Sequence, residues 1–308
     1  MTARPTIIGI VGDSGAGKST FAAGLVQALG PGRTVCLSAD DYLRYSRKQR
    51  TQRDLTPYDP DCNFLDILEQ HIGLLRNGQP ILKPVYNHCG GELEPPEYVE
   101  PKAFIILEGL LGLATPQLRD ACDVKLYMEP EEGLRLRWKF LRDTTWGGYS
   151  KEQLTGFLDR WKRDSEKTVL PQRAFVDMVI CFYPPDDRPD EQGAGLHVRH
   201  ILRPTLPYLD LAPLLEVGAD SGFVLELARD IDRRPVDALQ IFAPPDPGRA
   251  QAMQDYLWSL LPQETQTLPG LGEYRVDTDR FETSQTLALS QLLVAHYLLN
   301  AARPDDAE

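Results

Sequence analysis

The residues Gly12-Asp13-Ser14-Gly15-Ala16-Gly17-Lys18-Ser19-Thr20 carry the spacing G-x-x-x-x-G-K-[ST]. The chemistry this spacing allows is phosphate binding. Glycines let successive backbone N–H groups turn inward around phosphate oxygens, and a helix starting there adds the positive end of its dipole. Lys18 is placed to neutralise the β and γ phosphates of a nucleoside triphosphate, and the Ser19 hydroxyl to ligate Mg²⁺. The flanks supply the context: Thr6 to Val11 is a short apolar run that reads as a buried strand, and Thr20 to Val26 continues as a helix.

Other candidates follow at the ends of predicted strands. The strand Thr34 to Leu37 delivers Asp40 and Asp41 at its carboxyl end, the edge where open α/β sheets place ligands. A carboxylate there can orient a hydroxyl nucleophile and accept its proton; either aspartate can equally cap the next turn. The strand Ala103 to Leu107 delivers Glu108, which can complete a Mg²⁺ shell opposite Ser19 or cap the strand end. The basic island from Arg44 to Arg53, with Arg47 and Arg50, is a clamp for an anionic substrate or a solvated face. The extended segment Lys83 to His88 holds Tyr86 and His88, as substrate contacts or as a surface turn. Lys139, Arg142 and Asp143 cluster on one predicted helix, the next helix carries Arg160, Lys162 and Arg163, and Arg173 precedes a strand. These cations could form a lid over a transferring phosphoryl group or pair with neighbouring carboxylates. His71 lies on an apolar helical stripe and reads as a core histidine.

The frame that must position these groups is a soluble globular chain of 308 residues, 42% hydrophobic and 25% charged. Strands alternate with helices, which predicts an α/β fold. The net charge of −12 argues against a nucleic-acid or anionic-membrane surface, so any anion must be held by local loops and placed arginines. Five scattered cysteines predict reduced thiols. No stretch reads as a signal peptide or a membrane span, and the expected location is the cytoplasm.

Taken in order, GDSGAGKST, ADDY followed by SRKQR, LTPYDPDCNF, KPVYNH, LEGL, WKFLRD and LPQR make the chain from Ile7 to Phe182 resemble the phosphoribulokinases. These are P-loop kinases related to uridine kinases and bacterial pantothenate kinases. The last third is looser, nearest to shorter archaeal-like forms. The resemblance implies a P-loop kinase-type, mostly parallel sheet flanked by helices, with an α+β C-terminal extension. The proline- and acid-rich stretch Pro184 to Asp190 places a boundary, giving a kinase core over 1–185, a part over 190–303 that completes the sheet or a dimer interface, and a tail over 304–308 expected to be disordered. The resemblance further implies ATP and Mg²⁺ as cofactors, ribulose 5-phosphate as the small-molecule acceptor, and a homodimer. Asp40 is then the base on the C1 hydroxyl, Arg47 the grip on the substrate phosphate, and Tyr86 and His88 part of the sugar pocket. Arg50, Asp143 and Arg173 are carried as further substrate contacts. Glu108 becomes the metal-associated carboxylate, with Lys139 and Arg142 stabilising charge.

The chain departs from that pattern at three places. Leu43 and Leu111 stand where the family has histidines, and Gly147 where it usually has an arginine. Two alternatives follow: a kinase of the same family acting on another small acceptor, or a nucleotide-binding regulator without activity. The redox-regulated members carry a cysteine in the phosphate loop and another before the base; Ala16 and Ser38 occupy those places, so no thioredoxin-type switch is expected.

Overall fold

The computed structural model describes residues 4–206, 209–212, 215, 222–243, 247–259, 270–277 and 279–301. In chain order β1 (Thr6–Gly12), α1 (Lys18–Leu29), β2 (Thr34–Ser38), α2 (Arg47–Arg53) and α3 (Leu65–Arg76) come first. They are followed by β3 (Ile81–Asn87), β4 (Glu92–Val99), β5 (Phe104–Gly109), α4 (Pro116–Ala121) and β6 (Val124–Met128). Next are α5 (Glu132–Thr145), α6 (Lys151–Thr168), β7 (Met178–Tyr183), β8 (His197–Leu202), β9 (Phe223–Arg229) and β10 (Pro235–Ile241). The last described elements are α7 (Pro247–Ser259), β11 (Glu273–Asp277), β12 (Arg280–Thr283) and α8 (Gln285–Ala301).

One sheet runs through most of this, in the order β2-β5-β1-β6-β7-β8-β10-β9. Its first five strands are parallel, and from β7 to β9 each neighbour is antiparallel. The parallel part explains why β1 reads as an unbroken apolar run: both of its faces are covered. Ile8 and Ile10 face a cluster with Phe21 and Leu25 of α1 and Leu292 of α8, while Ile7 and Val11 face Leu68 and Ile72 of α3. Strands β8, β10 and β9 extend this same sheet, whereas among the described residues β11 pairs only with β12 and β3 only with β4, as two separate hairpins. The expected tail over 304–308 lies outside the described residues. Among the described residues no helix is long and apolar enough to cross a membrane.

Helix α8 is buried from Thr286 to Leu298, a helix apolar nearly all round because it lies against α1 and α7 and over the sheet. Within that stretch Gln291 accepts from the Gly272 N–H at 2.8 Å and reaches the carbonyls of Thr20 and Phe21. A Cβ on Gly24 would lie 2.0 Å from the Gln291 amide, so a side chain there would displace that amide from its contacts.

A buried ionic knot ties the parallel and antiparallel parts. Asp230 accepts two hydrogen bonds from Arg173 and one from Arg203, all at 2.8–2.9 Å, and Arg173 also binds Glu129. Burial would raise the Asp230 carboxyl, but the two guanidinium groups outweigh it and hold the pKa down at about 2. Arg173, a candidate for substrate contact from the sequence, thus has its guanidinium committed inside the fold. Among the described residues, removing the carboxylate would leave Arg173 paired with Glu129 alone and Arg203 paired only with the more distant Asp232, at 3.6 Å: D230A should cost about 3 kcal/mol, read as a lower urea midpoint.

Candidate active site

Three neighbouring strands end together. In register, β5 places Glu108 beside Ile10 of β1 and Ser38 of β2, so the phosphate loop, Glu108 and the turn after β2 meet at one edge. The loop opens α1, with Gly17 capping the helix in the left-handed region. Lys18 is buried, and its Nζ donates to the loop's own carbonyls, Gly12 at 3.0 Å and Asp13 at 3.1 Å. Those are weak, exchangeable partners for an ammonium, which would turn to phosphate oxygens when these are supplied.

Glu108 is 7% exposed, and its carboxyl is pushed up to about 7 by burial and then by the Asp40 charge. Lys18 and hydrogen bonds with Ser38 and Ser19 act in the opposite direction. A buried carboxylate sharing a hydroxyl with the helix-opening serine, and repelled by a second carboxylate, is a donor set that suits Mg²⁺ together with phosphate oxygens. Asp40 sits in the turn Ala39–Tyr42, where its Oδ1 accepts the Leu110 N–H at 2.8 Å. Its neighbour is differently employed: Asp41 binds the Lys83 ammonium and accepts the Tyr86 N–H at 3.2 Å, which anchors β3.

Helix α5 lies directly on the loop. A Cβ on Gly15, whose φ is +84°, would be 2.8 Å from the Lys139 Cβ, so the approach demands glycine. Lys139 Nζ and Arg142 Nη2 each donate to Ser14 Oγ at 3.0 Å, and Arg135 donates to the Ser14 carbonyl at 2.7 Å. These residues recur at i, i+4 and i+7, one face of the helix. Asp143 accepts from Lys139 at 2.8 Å and from Arg142 at 2.7 Å. The Lys139 ammonium is also 4.0 Å from the Trp161 ring. Burial pushes Lys139 down to about 8, with Asp143 opposing and Arg142 assisting.

On the other side of Asp40 lie β3 and α2. Tyr86 and His88 meet edge to face at 5.0 Å, and Arg50 stacks over Tyr86. Desolvation lowers the His88 imidazole pKa, against the charges of Asp40 and Asp41. Arg47 lies over Tyr149 and donates to the carbonyls of His88 at 2.6 Å and Gly147 at 3.3 Å. Leu43 and Leu111 are buried in core clusters. His71 is partly exposed, with Nδ1 2.9 Å from the Tyr42 hydroxyl.

The structure therefore brings Lys18, Ser19, Asp40, Glu108, Lys139, Arg142 and Asp143 around the loop, and Arg47, Arg50, Tyr86 and His88 beside them. Arg173 is held elsewhere. Sequence reasoning missed Arg135, Tyr58, Tyr149 and Trp161; only Arg135 had a local signal, four residues before Lys139. It also missed that a cavity leading from Gly15–Thr20 is walled by Trp138 and Phe182 and, from the C-terminal third, by Tyr274, Arg275 and Leu287.

A doubly covered parallel sheet with this loop at the carboxyl end of its central strand defines a P-loop nucleotide-binding α/β protein. Residues 7–187 match the sequence model of the Phosphoribulokinase / Uridine kinase family, and the chain belongs to that family. It is similar to the phosphoribulokinase of Synechocystis sp., at 33% identity over 70% of this chain and 65% of that protein. It thus spans less than two thirds of that relative's length. A uridine kinase of Latilactobacillus sakei is 32% identical over 57% of this chain and 85% of its own. The solved phosphoribulokinase of Rhodobacter spheroides shares the fold, with a TM-score of 0.60 at 19% identity, covering 83% of this chain and 96% of its own.

The Lys139 shift predicts a pH dependence. The ammonium is present below its pKa of about 8 and lost above it. Affinity of the loop for a polyphosphate should fall as pH rises from 7.5 to 9, by at most about 10-fold per unit for one proton. Calorimetric titration should show this slope in the wild type and a flatter, weaker curve in K139M.

Proposed function

We propose that this protein is an ATP- and Mg²⁺-dependent small-molecule kinase that phosphorylates the C1 hydroxyl of ribulose 5-phosphate, giving ribulose 1,5-bisphosphate and ADP. The observation that carries the reading is the convergence of a phosphate cradle, a carboxylate and paired cations at one sheet edge. In this reading the loop N–H groups and Lys18 hold the β and γ phosphates. Asp40 orients the acceptor hydroxyl and takes its proton, because Asp41 is already engaged with Lys83. Lys139 and Arg142, now sharing Ser14 Oγ, turn to the charge that develops on the transferring group. Arg47, Arg50, Tyr86 and His88 bind the acceptor, while Asp143 keeps the two cations aligned. Ser19 and Glu108 would hold Mg²⁺, which supplies charge neutralisation on the phosphates.

Family membership and the likeness to phosphoribulokinases support this acceptor. A second acceptor within the same family, such as a nucleoside, is favoured by two observations. Leu43 and Leu111 are packed into the core where histidines would be polar, and Arg47 is spent on backbone carbonyls. A coupled ADP-release assay comparing ribulose 5-phosphate, ribose 5-phosphate, uridine and pantothenate tests the reading. Turnover with ribulose 5-phosphate alone is the expected result; turnover only with another acceptor would overturn the substrate and keep the chemistry.

The base assignment has its own test. D40N should lower kcat by about 10²–10⁴-fold while ATP affinity stays within a few-fold, since the cradle is untouched. Unchanged turnover in D40N would move the base elsewhere.

A further inference from the structure

An acidic side chain inside a loop built to bind a polyanion is a liability unless it is restrained. Asp13 is such a residue, the first after Gly12. Every polar contact of its carboxylate points to restraint. Oδ1 accepts the Tyr58 O–H at 2.7 Å and the Ser14 N–H at 2.6 Å, and Oδ2 lies 3.6 Å from Arg135 Nη1. The cavity that leads on from the loop is lined by Gly15 through Thr20, and Asp13 lies outside that lining.

Tyr58 is only 3% exposed. Burial, and then the Asp13 charge, hold its phenol pKa well above the ordinary value, so it remains a donor. The segment that carries it is stiff. Thr56 donates to Asp164 of α6 at 2.8 Å, its N–H binds Asp59 at 2.8 Å, and the buried Asn63 amide donates to the carbonyls of Pro57 and Asp59. Leu55 N–H in turn binds the Arg50 carbonyl, which joins the segment to α2.

We propose that Tyr58 is a positioning residue of the phosphate loop: with Arg135 it holds the Asp13 carboxylate off the bound phosphates and so sets the loop's affinity for nucleotide. This rests on the reading that the loop takes ATP. The charge of Asp13 is what makes the hydroxyl necessary. Without the phenol O–H, the carboxylate keeps only the Ser14 N–H and the longer Arg135 contact, and it turns more readily toward phosphate oxygens, where like charges repel.

The test is a pair of substitutions read by calorimetric ATP binding, with thermal melting alongside. Y58F should raise the ATP Kd about 10-fold, the size of one charge-assisted hydrogen bond. On the D13N background, where no charge needs restraint, Y58F should change Kd by less than about 2-fold. An equal loss on both backgrounds, or a loss that tracks the melting temperature alone, would show that Tyr58 only supports the fold and would overturn the proposal. No change in Kd for Y58F would overturn it too. Wild-type protein that binds no ATP would sink the nucleotide reading itself, a result separable from the others because it appears before any substitution.

Discussion

Everything at the sheet edge depends on how closely α5 sits on the phosphate loop. The contact is possible because Gly15 has no side chain, and it puts three basic residues of one helix face onto the two oxygens of Ser14. A loop built from small residues has little to pack and would otherwise gain most of its order only when a ligand arrives. Here the cations order it in advance, and their own desolvation is offset by Asp143 below them. The arrangement is pre-organised for charge before any charge is bound.

That local concentration of positive charge also resolves an apparent contradiction. A chain with net charge −12 has no general attraction for anions, yet the edge around Lys18 gathers Arg135, Lys139 and Arg142 on one loop. Three of the acidic groups nearest to it are matched by a phenol or by cations: Asp13 with Tyr58, Asp41 with Lys83, and Asp143 with Lys139 and Arg142. Glu108 and Asp40 are the exception: burial and then the Asp40 charge push the Glu108 carboxyl up, which is the arrangement a divalent cation relieves.

Much of this was legible in the sequence, and the reason is locality. The strand, turn and helix around Gly12 to Ser19 declare themselves through apolar periodicity and glycine spacing within a few residues. The helical face of Lys139 and Arg142 does the same, and so do the carboxylates at the ends of β2 and β5. What was hidden involves partners far apart in the chain. Tyr58 and Asp13 are 45 positions apart, and Arg173 finds Asp230 across 57. The segment from Lys83 was read as extended, but its partner β4 was not seen, because Glu92 to Val99 is almost wholly exposed, with two prolines and no alternation to betray it. The hairpin of β11 and β12 was missed for a different reason: β11 does alternate exposed and half-buried residues, but over five positions only, and β12 is four residues long and mostly exposed.

The seat of α8 against α1 has a consequence for how the chain is made. Gln291 touches carbonyls of the first helix from 271 positions away, and the apolar face of α1 shares its cluster with Leu292 and Leu289. During synthesis, therefore, the nucleotide loop emerges early while the helix that covers the back of α1 emerges late. For that interval the nascent chain carries an uncovered hydrophobic surface just behind its most functional turn. Chaperone dependence and slow maturation are the expected costs of closing a core between the two distant ends of the described chain.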